Sequence, residues 1–292
     1  IVMIEETPQL RSACTSLTAR SLTFTSTSGS VNPSALIVLT KESAASIANI
    51  PEGALVELGG RLAAPELRQT WNAVGKISGS DHSSGVIVLS SHLDHLGVRN
   101  GEVGPDKIFN GADDDASGTV AVLELARIIA EGKRPRRTVY FVAYGSEEAG
   151  GIGSNHFANN MPFPKDSLVA NLQFEMIGRP DPKVKAEELW LTGFERSNLG
   201  PELAKRGAKL VQDPHRTQNF FQRSDNYTLA RQGIIAHTIS SFGLHTDYHR
   251  PSDENKTIDF VHMTKAIQGM VKPIEWLLNS DFWPTWNEGM KP

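Results

Sequence analysis

The chain has 292 residues, a formal net charge of −4, 39% hydrophobic residues and 21% charged residues. This balance is typical of a soluble globular protein and argues against a disordered, fibrous or nucleic-acid-binding chain, and no apolar run reaches membrane-spanning length. The single cysteine, Cys14, excludes an internal disulfide and a metal site built from cysteines.

Residues 1–69 carry short strand-like runs but no cluster of ligand or nucleophilic side chains. Strands are predicted at 1–4 and 35–40, a loop rich in serine and threonine at 15–30, and a helix at 42–48. The chain begins at Ile1 within an apolar run rather than at a methionine, so we interpret it as an excerpted chain whose first residues do not decide its localisation.

From residue 70 onwards, strand-like and helix-like segments alternate, which is typical of an α/β domain. Strands are predicted at 71–77, 86–90, 138–144, 168–174 and 234–240, and an amphipathic helix at 120–129. Continuous apolar runs indicate strands that are covered on both faces. We therefore predict a mixed, mainly parallel central sheet flanked by helices. The basic run 133–137 is interpreted as a solvated turn.

Polar clusters follow four of these predicted strands directly. Residues 91–95 read S-H-L-D-H, residues 145–150 read G-S-E-E-A-G, residue 175 is a glutamate, and residues 244–249 read L-H-T-D-Y-H. Ligands of open α/β sheets bind outside the carboxyl ends of the strands. We therefore expect these clusters to form one site.

Three consecutive aspartates, Asp113 to Asp115, precede the predicted helix within N-G-A-D-D-D-A-S-G. One capping side chain satisfies only one or two of the free N–H groups of a helix, so the surplus carboxylates indicate a cation rather than a simple acidic cap. Asp113 and Asp115 are predicted to cap the helix and to bond backbone. Asp114, on the first turn of the helix, is predicted to bind metal.

The candidate metal ligands are nitrogen and oxygen donors without sulfur, which suits zinc or another borderline divalent ion. They are His92, Asp114, Glu148, Glu175 and His249. Five protein ligands exceed the three of an ordinary catalytic zinc, so we predict two ions bridged by Asp114. His95 and His245 are interpreted as packing or hydrogen-bonding histidines.

Two acidic residues beside the ligands have predicted roles of their own. Asp94, two positions after His92, can accept the second ring N–H of that histidine and fix its tautomer. Glu147 precedes Glu148, and adjacent residues at a strand end point in different directions. Glu147 can therefore face the substrate as a general base.

Five motifs, in chain order, resemble the co-catalytic di-zinc aminopeptidases of metallopeptidase family 28 over about residues 71–285. They are H-L-D, N-G-A-D-D-D-A-S-G, S-E-E-A-G-G-I-G-S, N-x-x-F-E-M-I-G-R and Y-H-R-P-S-D. The resemblance implies one zinc on His92 and Glu175, a second on Glu148 and His249, and Asp114 between them. Many relatives carry aspartate at the position of Glu175.

The same resemblance assigns roles to the neighbouring residues. It implies that Asp94 orients a ligand, that Glu147 is the general base, and that Tyr248 stabilises the tetrahedral oxyanion. The expected activity is that of a zinc-dependent aminopeptidase, which hydrolyses the N-terminal peptide bond of peptides with a free N-terminus through a metal-bridging hydroxide. The expected architecture is a zinc exopeptidase fold for residues 70–292.

For residues 1–69 the resemblance is to the later part of a protease-associated domain, an insert common in secreted members. A secreted or periplasmic location is therefore expected, with no nucleic acid partner and no membrane span.

The scaffold leaves other functions open, because its relatives include carboxypeptidases, glutaminyl cyclases and non-enzymatic protein-binding ectodomains. A glutamate carboxypeptidase would need an arginine cluster for the carboxylates of its substrate, and the sequence shows none close to the motifs. A binding module would need broken ligand positions, whereas all five positions and the general base are filled.

Overall fold

The computed structural model describes residues 2–5, 24–26, 29–31, 36–39, 41–51, 53–54, 69–99 and 104–292. The chain divides into two compact units, Ile1–Arg68 and Gln69–Pro292. Within the described residues, no helix is both long enough and apolar enough to cross a membrane.

The first unit contains two strand pairs and a helix among its described residues. They are β1 (Val2–Glu5), β2 (Phe24–Ser26), β3 (Gly29–Val31), β4 (Leu36–Leu39) and α1 (Lys41–Ala48). β1 pairs in parallel with β4, and β2 pairs antiparallel with β3. The prediction of a loop at 15–30 is wrong where β2 and β3 form. The rest of that predicted loop lies outside the described residues. The likeness to a protease-associated domain stays a prediction.

The second unit is built on one large sheet. Its elements in chain order are β5 (Ala73–Ile77), β6 (Val86–His92), β7 (Gly97–Val98), β8 (Ile108–Phe109), α2 (Gly118–Glu131), β9 (Thr138–Tyr144), α3 (Ile152–Asn159), β10 (Leu168–Phe174), β11 (Leu189–Leu191), α4 (Leu199–Lys205), β12 (Leu210–Gln212), α5 (Asn226–Ala230), β13 (Ala236–Ser240) and α6 (Phe260–Asn279). β5 and β13 begin slightly later than predicted. The other predicted strands are found, and β6 extends beyond its predicted end.

The seven strands of this sheet follow the order β12-β11-β13-β10-β6-β9-β5. The central neighbours β9, β6, β10 and β13 pair in parallel, as do β11 and β12. β5 is antiparallel to β9, and β11 is antiparallel to β13. The predicted mixed, mainly parallel sheet is confirmed.

Side chains alternate across the sheet because successive residues of a strand point to opposite faces. In β6, Ile87 and Leu89 join one apolar cluster with residues of α2 and α6. Val86 and Val88 join a second cluster with residues of α3 and α5. Every residue of β6 and β10 is buried, so the continuous apolar runs do mark strands covered on both faces.

The basic run at 133–137 differs from the solvated turn expected there. Arg137 is only 1% exposed. Its guanidinium donates hydrogen bonds to the backbone oxygens of Ser84, Leu277 and Phe282. A buried charge needs such partners. Arg137 therefore links the start of β9 to the C-terminal end of α6 through hydrogen bonds.

Candidate metal centre

The carboxyl ends of the parallel strands bring the candidate ligands together at one edge of the sheet. β6 ends in His92, Glu148 follows β9, and Glu175 comes directly after β10. His249 lies in the loop that follows β13. These strands are neighbours in the sheet, which explains why residues far apart in sequence meet in one site.

Asp114 lies at the centre of this group, and its two carboxylate oxygens face different histidines. Oδ1 is 3.1 Å from Nε2 of His92, and Oδ2 is 3.2 Å from Nε2 of His249. Glu148 Oε1 is also 3.2 Å from Nε2 of His249. Glu175 joins His92 and Asp114 in a group whose ligand atoms all lie within 4.8 Å of one another. A carboxylate shared between two ions would be placed in this way.

The backbone around Asp114 corrects one prediction from the sequence. Asp114 is not on the first turn of α2, because that helix begins at Gly118. It lies in an irregular turn over residues 112–117 with φ −107° and ψ 87°, outside the helical region. The carboxylate of Asp253 accepts hydrogen bonds from the backbone N–H groups of Asp113 (3.0 Å) and Asp114 (3.1 Å). Asp253 therefore holds the turn that presents Asp114, a role that the sequence did not suggest.

Asp115 uses its carboxylate to connect three segments of backbone. Oδ1 accepts hydrogen bonds from the N–H groups of Gly118 (3.1 Å) and Met176 (3.0 Å), and Oδ2 accepts one from the N–H of His92 (3.1 Å). Asp115 thus caps the start of α2, and it fixes the backbone of His92 and of the residue that follows Glu175.

Asp113 also serves the surrounding structure. Its Oδ1 accepts a hydrogen bond of 2.7 Å from the N–H of Gly178, and its Oδ2 lies 2.9 Å from Nε2 of His245. His245 is therefore a hydrogen-bonding histidine in this fold. Neither Asp113 nor Asp115 belongs to a group of potential metal ligands among the described residues.

Asp94 contacts His92 in a different way from that predicted. Nδ1 of His92 lies 3.0 Å from the main-chain oxygen of Asp94, whereas the nearest carboxylate oxygen is 3.9 Å away. The side chain instead accepts hydrogen bonds from the N–H groups of Glu147 (2.9 Å) and Glu148 (3.2 Å). Asp94 therefore orients His92 through its backbone and the Glu147–Glu148 turn through its carboxylate.

Glu175 is oriented by neighbours outside the metal group. Oγ of Ser224 donates a hydrogen bond to Oε2 of Glu175, and Nε2 of Gln173 donates another of 3.1 Å to the same oxygen. Ser224 belongs to the segment between β12 and β13, so its contact with Glu175 is visible only in the folded chain.

The pKa values of the acids in this site reflect many carboxylates in one buried space. Burial and, to a smaller extent, the nearby Glu175 carboxylate raise the pKa of Glu147 to about 10, although the charge of His92 acts in the opposite direction. Burial likewise raises the pKa of Glu175 to about 7. Burial would also raise the pKa of Asp114, but the neighbouring His249 and His92 rings favour its charged form and hold the pKa well below its usual value. A divalent cation here would stabilise the charged carboxylates.

Buried polar atoms without partners point to the same ion sites. In the described part of the chain, Nε2 of His92, Oε1 of Glu148 and both ring nitrogens of His95 are buried and form no hydrogen bond. Most buried polar atoms in native proteins are paired, so unpaired nitrogen and oxygen atoms within these groups are suited to bind metal ions. Nitrogen and oxygen donors without sulfur fit zinc.

An aromatic pocket adjoins Glu175. It is lined by residues including Glu175, Trp190, Phe220, Arg223, Phe242 and Tyr248. The ring of Tyr248 stacks on that of His249, with centroids 3.9 Å apart. The guanidinium of Arg223 lies over the ring of Phe220, 4.9 Å from its centroid. The lining residues come from separate segments of the chain, so the pocket forms only when the chain folds.

Comparison with known proteins gives consistent matches. Residues 72–272 match the model of Peptidase family M28. The chain is 35% identical over 114 residues to leupeptin-inactivating enzyme 1 of Streptomyces exfoliatus, covering 38% of this chain and 24% of that protein. It is 34% identical over 114 residues to an aminopeptidase of Pseudomonas aeruginosa, covering 39% of this chain and 19% of that protein.

Solved structures share the fold. The zinc aminopeptidase BSAP from Bacillus subtilis superimposes with a TM-score of 0.58 at 21% sequence identity, covering 72% of this chain and 50% of that chain. At this level of identity the likeness concerns the fold alone. The chain also spans no more than a quarter of the length of the two relatives matched by sequence.

Proposed function

The chain belongs to peptidase family M28, and from this membership we propose that it is a zinc-dependent aminopeptidase that hydrolyses the N-terminal peptide bond of peptides. The observation that carries the proposal is the position of Asp114, which directs one carboxylate oxygen to His92 and the other to His249. The relative from Pseudomonas aeruginosa is an aminopeptidase, which supports the same activity.

Two zinc ions are part of this proposal. His92 and Glu175 would hold one ion, Glu148 and His249 would hold the other, and Asp114 would be shared. When bound, such ions polarise a substrate carbonyl and lower the pKa of a coordinated water. The unpaired buried nitrogen of His92 and the unpaired oxygen of Glu148 support this assignment.

Glu147 is the proposed proton carrier. Its backbone N–H is fixed by the carboxylate of Asp94 at 2.9 Å, so the side chain is attached to a well-held turn. Without cations, burial raises its pKa to about 10, and positive charge nearby would lower that value towards the range of a general base. Glu147 would take a proton from the attacking water and return it to the leaving amine.

The surplus of carboxylates also supports recognition of a free N-terminus, because an ammonium group only donates hydrogen bonds. Glu147 and Glu175 are the carboxylates proposed to accept hydrogen bonds from the ammonium group of the substrate. The pocket beside Glu175 is walled by Trp190 and Phe242, among other aromatic rings, which suits an apolar side chain on the first residue of the substrate.

A carboxypeptidase would need cationic groups for a C-terminal carboxylate, and one arginine, Arg223, does line the pocket. Its guanidinium is stacked on Phe220. Arg179, also near the site, is paired with Asp247 at 2.7 Å and Asp253 at 3.2 Å. These contacts favour the aminopeptidase over the carboxypeptidase.

The test compares leucyl anilide with N-acetyl-leucyl anilide, with metal analysis of the same preparation. Acetylation removes a charge-assisted hydrogen bond and leaves buried carboxylates unpaired, so kcat/KM should fall by about a hundredfold or more. Equal rates on both substrates, or release of residues from the C-terminus of a test peptide, would show that the aminopeptidase assignment is wrong.

A further inference from the structure

His95 is a buried histidine at the centre for which the proposed reaction has no role. Its side chain is 6% exposed, and within the described structure neither ring nitrogen has a hydrogen-bond partner. The sequence favoured a packing or hydrogen-bonding role for this residue. The fold instead turns its ring towards the ligand group that contains Asp114 and Glu148.

Nδ1 of His95 lies close to two of the candidate ligand oxygens. It is 2.8 Å from Oε1 of Glu148 and 3.8 Å from Oδ2 of Asp114. Two atoms that each bind the same zinc ion at about 2.1 Å lie roughly 3 to 4 Å apart, so the distance to Asp114 falls within this range and the distance to Glu148 is just below it. These are the same oxygens that lie 3.2 Å from Nε2 of His249. Both histidines therefore face the same pair of oxygens.

A hydrogen bond does not account for the close approach of His95 to Glu148. Although the two atoms are 2.8 Å apart, both Nδ1 of His95 and Oε1 of Glu148 remain without a hydrogen-bond partner among the described residues. Hydrogen bonds require alignment as well as short distance. An ion bound by both atoms would satisfy both of them.

The packing around His95 holds the ring in this position. Gly111 has φ 65°, and a Cβ atom added to it would lie 2.6 Å from Cγ and 2.7 Å from Cβ of His95. The ring therefore lies directly against a backbone that only glycine provides. On another side it meets the ring of His249 edge-on, with centroids 5.5 Å apart.

We propose that His95, through Nδ1, is an additional protein ligand of the ion held by Glu148, His249 and Asp114. The proposal rests on the metal centre of the proposed function. It makes the two ions unequal, because the ion at Glu148 would have two histidines and two carboxylates, whereas the ion at His92 would have one histidine and two carboxylates. Catalytic zinc sites keep an open position, so the substrate would bind at the ion on the His92 side.

The first experiment measures zinc affinity by competition with a chromophoric chelator in the wild type and in His95→Phe. Phenylalanine keeps a ring against Gly111 but has no nitrogen. We expect one of the two sites to weaken by about a hundredfold or more and the other to stay unchanged. The matched control is His245→Phe, in which a histidine bonded to Asp113 but outside the ligand groups is replaced. Both affinities should be unchanged in this control.

The second experiment separates a ligand from a hydrogen-bonding neighbour, and its deciding observation, the number of coordinated histidines, is made on the wild type. In the cobalt-loaded wild type, each coordinated histidine gives a hyperfine-shifted, exchangeable ring N–H signal in the NMR spectrum. We expect such signals for His92, His95 and His249, with the His95 signal missing in His95→Phe. Signals from His92 and His249 alone would overturn the proposal, even if the variant bound zinc more weakly. Unchanged zinc affinity in His95→Phe would overturn it as well.

Failure of the proposed function would look different, because the wild type itself would then bind no zinc or leave leucyl anilide intact.

Discussion

The candidate centre has two halves, one formed by His92 and Glu175 and the other by Glu148 and His249, and the fold supports them in different ways. His92 is the last residue of β6, is 0% exposed, and has its backbone N–H fixed by Asp115. The side chain of His249 is 35% exposed, and the residue lies in a loop with φ 55°, a left-handed conformation that is uncommon outside glycine. The sheet therefore builds one half directly, and loops build the other.

The loop-built half depends on charged residues that fix the loops. Arg179 donates hydrogen bonds to Asp247 and to Asp253, on either side of His249. Asp94 accepts hydrogen bonds from the N–H groups of both Glu147 and Glu148. Sheet positions are also held by the backbone hydrogen bonds of the strands, whereas loop positions rely on specific side-chain hydrogen bonds to reach similar precision.

The largest effect is expected where the halves meet. Asp114→Asn replaces the shared carboxylate with a neutral amide, which bridges two cations poorly, so both ions and the activity should be lost or nearly so. Zinc content of the purified variant is the measurement. Two equivalents of zinc in this variant would show that Asp114 does not connect the two halves.

A smaller loss is expected when the proton carrier of the loop-built half is removed. Glu147→Gln keeps the size of the side chain but cannot accept a proton, so kcat should fall by about 10²–10⁴. The zinc content should equal that of the wild type, which distinguishes a lost base from a lost ligand. An unchanged kcat would remove Glu147 from the mechanism.

Asp94→Asn should affect the two halves unequally. The amide offers one acceptor oxygen where two backbone N–H groups need partners, so zinc affinity at Glu148 should fall by about 10–100-fold. The site at His92 should keep its affinity, because the main-chain oxygen of Asp94 is unchanged. Chelator competition resolves the two affinities, and an equal loss at both sites would contradict the division into halves.

The smallest effect concerns the stability of the sheet rather than the ions. Burial lowers the pKa of His237 on β13 to about 4, from an ordinary value of 6.5. Nδ1–H donates to the backbone oxygen of Thr192, and Nε2 accepts from the hydroxyl of Ser197, each at 2.7 Å. The unfolded chain therefore binds a proton between these two pH values, whereas the folded chain does not. The stability contributed by neutral His237 is complete above pH 6.5 and is lost as the pH falls towards 4.

We expect this titration to cost the metal-free protein about 2 kcal/mol of unfolding free energy between pH 7 and pH 5. Urea unfolding at both pH values measures it, with His237→Gln as the variant that lacks the titrating group. If the wild type and the variant lose the same free energy over this interval, His237 is not the titrating group.

The sequence by itself determined the elements and the principal candidate ligands. The strands β6, β9 and β10 can be recognised from local sequence because they are apolar runs. The positions of His92 and Glu175 at strand ends follow from the same local pattern. The parallel sheet then required these ends to meet at one edge. His249 was found in the same way, from its place after the last buried strand.

Only the tertiary structure decided how the side chains around the ligands are used. In the folded chain the ring of His95 faces Glu148, and the carboxylate of Asp94 binds the backbone of Glu147 after β9. Asp253 binds the turn of Asp114, and Arg137 is buried. Each of these contacts joins residues more than 50 positions apart, through loops or chain ends with no hydrophobic period. Periodicity in the sequence predicts which face of an element is buried, but the direction of a polar side chain in a loop depends on distant partners that only folding brings near.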